Sequence, residues 1–507
     1  MKAKLMLLPI CKKLLIFRSE WKGKYFVENY NNIINHQKIY QNAVYLCRRH
    51  GLKILCLVFG FAVIGLFSMS SPLYTFNTWS DANVYLTTAR QMLHGKMLYR
   101  DVFDHKGPYL YLIHVAAAVI DQWSFRGVYI MESAFAAAYA LISMKTAKAD
   151  TRVKKAMVLT GCLAVYGCIA FNRGDSAEEF CLPLLMASFY AIETENYFIA
   201  GLMAGCVFWI KMTICSFYVG WFIVMLIRHK ADAIRKTPAI VLGLLVSSIP
   251  VAVMFAGNYD VLVKGYLISN VVYSSSVKTN VSTAGEGMLW LVQLGTVYGC
   301  MVPIAMTVRT IKVKKELMLP IVVTSLFLLI PVIYIGGMWP YYSLPLMFYA
   351  PLWGAVSSGR KQAKSQIIDA LCITLVISVA VGSLRHIGQE PEQYKFVRIM
   401  KKDPGKVLTY GTLDYGFYTL MHQDPSAKYF FCPNMLTKEI RDSQNRELAS
   451  LRYKYVFTSQ KHIGKHYVKI AESKKMDGKM VFYLFKRTDS AQPTAIQKRQ
   501  KSNSVVS

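Results

Sequence analysis

Long apolar runs alternate with short polar connections along most of the chain. Residues 52–70, 239–256 and 317–335 are the clearest runs, each close to the roughly 20 residues a helix needs to cross a bilayer. Further runs at 127–144, 156–171, 180–192, 197–210, 212–227, 288–308, 341–357 and 367–384 complete a pattern of about eleven spans. Residues 108–120 are apolar but too short to span comfortably, so they predict a helix lying in the membrane interface. The pattern is that of a polytopic α-helical membrane protein.

One stretch after the first run cannot sit in hydrocarbon. It carries Asp81, Arg90, His94, Lys96, Arg100, Asp101, Asp104, His105 and Lys106, and each such charge costs about 2.5–3.5 kcal/mol on insertion scales. Residues 71–126 therefore read as a polar loop held against the membrane face. Within it, 81–94 predicts a helix with Ser80 as its N-cap and Gly95 as its terminator. After residue 384 the pattern changes again. Stretches rich in Val, Tyr and Phe at 406–410, 453–459, 466–470 and 480–486 predict strands, and 413–421 and 436–451 predict helices. That alternation predicts a small α/β domain. The expected organisation is a basic arm at 1–51, a spanning region at 52–384, an α/β domain at 385–487 and a polar, disordered tail at 488–507.

Charge fixes the expected orientation. The chain has 507 residues, 54% of them hydrophobic, and a formal net charge of +30. Strong basicity first suggests nucleic acid. However, the cations cluster in the connections at 145–155, 228–236, 309–315 and 360–364, while 257–287 and 336–341 hold few. This is the positive-inside alternation of a membrane protein, and it argues against a nucleic-acid partner. It places the N-terminal arm in the cytoplasm and 71–126, 172–179 and 257–287 outside. After about eleven spans the α/β domain lies outside too. The arm reads either as an interfacial helix at 5–17 or as an unstructured segment, and the first span as its own signal anchor. Pro238 is expected at the start of the 239–256 span, where a missing N–H costs least. The 11 cysteines form no CxxC or Cys/His cluster, so neither zinc nor an outer disulfide framework is expected. No Walker loop or dinucleotide fingerprint is present.

Three polar groups share the outer face in this topology: Asp81 with Asp104, His105 and Lys106; Arg173 with Asp175, Glu178 and Glu179; and Lys211 at a span boundary. Acids and cations together suit transfer of a sugar from a lipid phosphate. A carboxylate takes or orients the acceptor proton, and Lys or Arg stabilises the departing phosphate. Each residue also has a plainer reading. Asp81 can complement a helix N-terminus, Glu178 and Glu179 can solvate the start of a span, and Arg173 can pair with Asp175. Lys211 can snorkel to the interface, and Trp339, Tyr341 and Tyr342 can form an aromatic belt.

The run Ser80-Asp81-Ala82-Asn83-Val84-Tyr85, followed by Gly95-Lys96, Tyr99-Arg100-Asp101 and Asp104-His105-Lys106-Gly107-Pro108, resembles the first outer loop of GT-C membrane glycosyltransferases. The similar branch holds bacterial protein O-mannosyltransferase-like enzymes and the lipid A aminoarabinose transferase. In the family's acid-Lys-Pro element the three residues adjoin, whereas here His105 and Gly107 intervene. Arg173 through Glu179 resembles the family's acidic second loop, and Phe208-Trp209-Ile210-Lys211 its lysine-bearing boundary. Trp339 through Pro345 is similar to a late span start, without the basic or His residue common there. The resemblance covers roughly residues 52–360 and rests on the order of loose motifs.

It implies a GT-C-like fold, a polyprenyl-phosphate-linked sugar as donor and a cell-envelope acceptor at the outer leaflet of the bilayer. It implies Asp81 as the catalytic acid or base, with Lys106, Lys211 and Arg173 on the donor phosphate. Asp104, His105, Asp175, Glu178, Glu179 and Tyr341 would shape the acceptor or sugar pocket. No cofactor is required, although a divalent cation is compatible with these acids. A transporter or flippase of lipid-linked sugars is the main alternative; it would place ionisable groups near mid-membrane, often with paired repeats. A non-catalytic assembly protein presenting the C-terminal domain is the third reading.

Overall fold

In the computed structural model the first apolar run forms helix α1, His50–Phe67. The structure describes residues 50–171, 173–273, 300–335, 339–356, 360–380, 384, 387–433, 437–473 and 480–488. The expected interfacial helix at 5–17, the tail beyond 488 and residues 274–299 lie outside the described residues. The chain divides into two compact units, Met1–Leu55 and Cys56–Ser507. The second holds every side chain of the candidate site.

Among the described residues, five helical segments are long and apolar enough to cross a membrane: His50–Phe67, Arg126–Thr146, Met212–His229, Asp232–Met254 and Lys315–Val332. The polar loop contains α2, Ser80–Leu93, and is followed by the short apolar α3, Pro108–Ile120. Next come α4 Arg126–Thr146, α5 Arg152–Tyr166, α6 Ala177–Glu193, α7 Tyr197–Ile210, α8 Ser216–His229 and α9 Ala231–Met254. Helices α10 Met301–Val313, α11 Met318–Ile335 and α12 Arg360–Ala380 follow. On α9, Val241, Leu242, Leu245, Ile249 and Val253 are exposed in a helical row, as expected of a surface that faces hydrocarbon. Its other side meets Gly201 and Gly205 of α7. A Cβ at Gly201 would overlap the Ile240 carbonyl, and one at Gly205 the Ser247 hydroxyl, so the two backbones touch along a small-xxx-small seam.

Several elements differ from expectation. Ser80 is the first helical residue rather than the cap; Trp79 holds that place with no side-chain hydrogen bond, and the Asn77 side chain accepts from the Trp79 N–H at 3.0 Å. Pro238 lies inside α9, because the helix starts in the basic connection at Ala231. The expected span at 341–357 is two 3-10 helices, Pro340–Met347 and Ala350–Ala355. Pro340, Pro345 and Pro351 have no N–H to give an α-helical ladder, which favours the tighter, shorter form. The expected loop at 257–287 is helical as far as it is described, with one turn at Tyr259–Leu262 running into a π-helix at Val263–Tyr273.

The C-terminal region forms a four-stranded sheet from β1 Val407–Thr409, β2 Tyr455–Thr458, β3 Tyr467–Glu472 and β4 Tyr483–Arg487, in the order β1-β2-β4-β3. The β1–β2 pair is parallel and the other pairs are antiparallel. One face buries Phe396, Val397 and Met400 of α13, Gln393–Lys402, against Tyr455, Phe457 and Leu484. The other buries Leu408, Val456, Tyr467 and Phe485. Helix α14 is Lys438–Ala449, started by Thr437, whose side chain accepts from the Ile440 N–H.

This region is docked on the polar loop by α2. Arg90, fully buried, donates from Nε to Asp424 at 2.7 Å and from its terminal nitrogens to the carbonyls of Gln122 and Gln423, each at 3.2 Å. Its guanidinium carbon lies 4.1 Å from the Trp123 ring centroid. One turn earlier, the Thr87 hydroxyl donates to Asp414 at 3.1 Å, and the Gly416 N–H donates to the same carboxylate at 2.8 Å.

Burial pushes the Asp414 carboxyl up to about 6, against the lowering effect of the Gly416 and Thr87 bonds and of Arg90. Its folded value exceeds its unfolded one, so its contribution to stability is present at low pH. That contribution is lost as pH rises through about 6. Asp414→Asn should raise stability by about 1–3 kcal/mol at pH 8 and make little difference near pH 4. Thermal unfolding in detergent across that range measures the effect.

Candidate functional site

The polar loop returns to the apolar helices through one backbone hydrogen bond. The Gly107 N–H donates to the Ile210 carbonyl at 3.2 Å. Lys106 and Lys211 are the residues next to this bond on either side. Glycine is required there, since a Cβ at Gly107 would overlap the Trp209 carbonyl and the Ile210 nitrogen. The loop between is held rigidly: the Tyr99 hydroxyl donates to the Lys106 carbonyl at 2.5 Å, and Asn270 of the π-helix donates to the His105 carbonyl at 2.6 Å.

Asp81 lies in the first turn of α2 and keeps part of its surface exposed. Burial pushes its carboxyl above the usual carboxylate range, opposed chiefly by Lys106, with Asp104 raising it and His105 and Lys211 lowering it. Both lysines therefore act on the same carboxylate. The Asp81 charge also acts on the Tyr341 hydroxyl. Lys211 is paired with Glu178, and its ammonium stands 4.2 Å from the Tyr342 ring centroid and 5.5 Å from that of Tyr341. The first 3-10 helix presents both tyrosines, and Tyr341 is mostly buried. Tyr341 and Tyr342 thus belong to the charged cluster, whereas Trp339 is exposed.

Asp104, His105 and Lys106 form a chain. Lys106 Nζ is 3.1 Å from His105 Nε2, and His105 Nδ1 is 2.9 Å from Asp104 Oδ1. With the ammonium donating, Nε2 accepts and the imidazole proton sits on Nδ1. Burial and then the Lys106 charge push His105 below its usual range, so it stays neutral at pH 7. Burial alone would raise Asp104, but His105, Lys106 and the Tyr111 hydroxyl outweigh it and hold the carboxyl below its usual range. Asp104 is a fixed anion that orients His105, and His105 in turn holds Lys106.

The remaining acids separate. Glu178 and Glu179 lie in the first turn of α6, which begins three residues before the expected span, and adjacent helical positions point about 100° apart. Glu178 faces Lys211. Glu179 instead enters a buried layer with Asp175, Glu132 and His114. The Asp175 N–H donates to Glu132 at 2.7 Å and to Glu179 at 2.8 Å, and His114 Nε2 lies 2.7 Å from the Asp175 carboxylate. Asp175 is thus paired with His114 rather than with Arg173. Arg173 donates to the Thr78 hydroxyl at 2.9 Å, three residues ahead of Asp81. Tyr85 joins the layers, with its ring 5.4 Å from His114 and 6.3 Å from Tyr111. Among the described residues, no three or more His, Cys, Asp or Glu side chains are arranged to hold a metal ion.

Glu132, His114 and Tyr111 were not singled out from the sequence, and Tyr342 was read only as part of an aromatic belt. Glu132 carried a usable signal, since an acid inside an apolar run is functional or specifically paired by default. A cavity of about 20 Å³ lies beside Lys211 and Glu178, walled by Leu328, Pro331, Val332 and Tyr342. It has room for about one water molecule.

No protein-family model matches the chain, and no curated protein sequence matches it. Its backbone nevertheless has the fold of the GT-C membrane glycosyltransferases, and it is a multi-pass membrane protein. Two of the similar solved structures are crystal structures of ArnT from Cupriavidus metallidurans, a lipid A aminoarabinose transferase. The apo form aligns at a TM-score of 0.60 over 88% of this chain and 98% of that chain, with 10% identity. The form bound to undecaprenyl phosphate aligns at 0.58 over 88% and 99%, also with 10% identity.

Gly107→Ala should force the loop off α7, because the obstructing atoms are backbone. The expected cost is about 1–3 kcal/mol, as for other overpacked sites. A fall in the midpoint of thermal unfolding in detergent measures it, with Gly95→Ala, which meets open space but strains a positive φ, as a comparison.

Proposed function

We propose that the chain is a membrane glycosyltransferase that moves a hexose or pentose from a polyprenyl-phosphate donor to a cell-envelope acceptor at the extracytoplasmic face. The observation that carries this reading is the convergence of Asp81, Lys106 and Lys211 on Tyr341 and Tyr342 where apolar helices end. The shared fold with a protein crystallised with undecaprenyl phosphate supports it. The positive-inside pattern supports a cytoplasmic N-terminus, about eleven spans and an outer C-terminal domain.

Lys106 and Lys211 receive the donor phosphate, with Arg173 at the neighbouring loop as a third cation. The phosphate displaces Glu178 from Lys211, and the apolar wall formed by Leu328, Pro331 and Val332 continues toward the lipid tail. The acceptor nucleophile attacks the anomeric carbon as its bond to the phosphate oxygen breaks. Asp81 takes the acceptor proton, and the leaving phosphate keeps the bonding electrons, stabilised by the two ammonium groups. His105 keeps Lys106 in place. Purified protein incubated with labelled polyprenyl-phosphate sugars and an envelope extract should transfer label and release polyprenyl phosphate. Movement of intact donor across a bilayer without cleavage would make the protein a transporter instead.

Asp81→Asn removes the base while keeping the shape, and turnover should fall about 10²-fold or more with donor binding retained. Because burial raises the Asp81 carboxyl, activity should fall on the acid side at a higher pH than for an ordinary carboxylate. Lys106→Met removes a charge that lowers it, so the acid limb should move further toward neutral pH. A pH–rate profile of each protein tests both signs.

Lys106→Met and Lys211→Met should each weaken donor binding by about 1.5–3 kcal/mol, as for loss of a charge-assisted hydrogen bond. The double variant should lose less than the sum, since both contact one phosphate. Lys211→Met leaves Glu178 buried without its partner, so it is paired with Glu178→Gln to separate misfolding from lost binding. Additive losses would assign the lysines to different ligands.

A further inference from the structure

Behind the lysine cluster, the buried layer of Glu132, Asp175, Glu179 and His114 takes no direct part in the reaction drawn above. Glu132 lies inside α4, one of the helices long and apolar enough to cross a membrane. All four side chains are shut off from solvent. An ionisable group in such a place has to be matched by a specific partner. The layer must therefore settle its charge internally.

His114 is already committed to one acid. Its Nδ1 is 2.8 Å from the Leu110 carbonyl, which can only accept, so Nδ1 carries a proton. Its Nε2 is 2.7 Å from Asp175 Oδ1, and one further proton must lie between those two atoms. Whether that proton sits on nitrogen or on oxygen, His114 and Asp175 together are neutral. Neither has charge to spare for Glu132 or Glu179.

What remains is two carboxyls crowded on one hydrogen. The Asp175 N–H donates to Glu132 Oε1 at 2.7 Å and to Glu179 Oε2 at 2.8 Å. Ser68 serves only Glu132, with its hydroxyl 2.9 and 3.0 Å from the two oxygens. Glu179 Oε1 is buried without a hydrogen-bond partner among the described residues. The Tyr166 hydroxyl of α5 feels both glutamate charges but bonds neither. Arg173, in the same turn, directs its guanidinium to Thr78. Two carboxylates this close in a dry layer cannot both ionise. A proton on one of them turns a repelling pair of acceptors into a donor and an acceptor.

We propose that Glu132 and Glu179 share one proton and act as a single monoanionic unit that positions the 173–176 turn behind Asp81. The effect on turnover rests on the glycosyltransferase reading; the shared proton does not. The turn matters to the site in two ways. It carries Arg173, which bonds Thr78 three residues ahead of Asp81. It also starts α6, where Ser176 accepts from the Glu179 N–H at 3.1 Å, and the first turn of α6 brings Glu178 to Lys211. Charge is the second link. The Asp81 and Asp175 carboxyls act on each other, so a second negative charge in the layer would favour the protonated form of Asp81, which cannot serve as a base. The shared proton keeps that charge out.

The test uses the full chain in phosphatidylcholine nanodiscs, with its glutamates labelled with carbon-13, and infrared spectroscopy at neutral pH. The wild-type protein should show the C=O stretch of a protonated carboxylic acid, displaced by the label and therefore from glutamate. Glu132→Gln and Glu179→Gln should each remove that band, because the carboxamide supplies the donor and the remaining glutamate ionises. Turnover gives the second readout. Glu132→Ala should lower it about 10- to 10²-fold, as for displaced catalytic groups, and Glu132→Gln should restore most of it. A wild-type spectrum without a labelled carboxylic-acid band would overturn the proposal, and this measurement needs no variant to fold. A band that survives both Gln substitutions, or a Glu132→Gln protein that folds and is as slow as Glu132→Ala, would overturn it too. The band in a protein that transfers no sugar counts against the glycosyltransferase reading and leaves the shared proton standing, whereas transfer without the band does the reverse.

Discussion

Charges buried where apolar helices end must be neutralised by one another, because neither water nor hydrocarbon can do it. That constraint shapes the whole site. Lys211 leans on Glu178 and two tyrosine faces. Lys106 leans on His105, and His105 on Asp104. Asp81 is left under the influence of both lysines and acts in turn on Tyr341. The arrangement is nearly complete without a ligand, and the adjoining cavity is the size of one water molecule. An anionic ligand can enter only by taking over cations that the protein's own acids now satisfy.

The same constraint explains the buried layer behind the site. Asp175, Glu179 and Glu132 share backbone and side-chain donors from the 174–176 turn and from Ser68, which bonds both Glu132 oxygens at 2.9 and 3.0 Å. Gly174 and Asp175 both adopt left-handed backbone conformations there, with φ of +82° and +61°. This strained turn aims the Asp175 N–H at two carboxylates at once. His114 closes the layer and touches Tyr85, so the packing of Asp81's own helix depends on it.

Apolar periodicity made most of the helices legible, since a span needs a long run and little else. Helix α7 fell where the run predicted, Tyr197–Ile210, with Lys211 at its end. The strands were legible from their Val, Tyr and Phe content. Helix α13 was not, because its ten residues include four cations and hide an apolar stripe at Phe396, Val397 and Met400. The prolines at 340, 345 and 351 gave a visible warning against an α-helical span, but run length outweighed it. Asp81, Lys106, Lys211 and Tyr341 were named from the sequence and do converge. Glu178 and Glu179 were read as a pair, and a helix start three residues early set them about 100° apart. Which acids share a pocket is set by rotation about a helix axis, and a one-turn error in a boundary scrambles it.

The Arg90 clamp has a consequence for how the molecule is made. Arg90 and Asp424 are 334 residues apart, so at about 5–20 residues per second the ribosome needs on the order of 20–70 s to supply the partner. During that interval a guanidinium destined for full burial waits on a nascent loop, beside Trp123 and the Gln122 carbonyl but without its carboxylate. The helix that carries Asp81 is therefore finished last, by the final quarter of the polypeptide. Premature termination anywhere before Asp424 would yield an inserted but uncapped protein, with its earliest polar helix still waiting to be assembled.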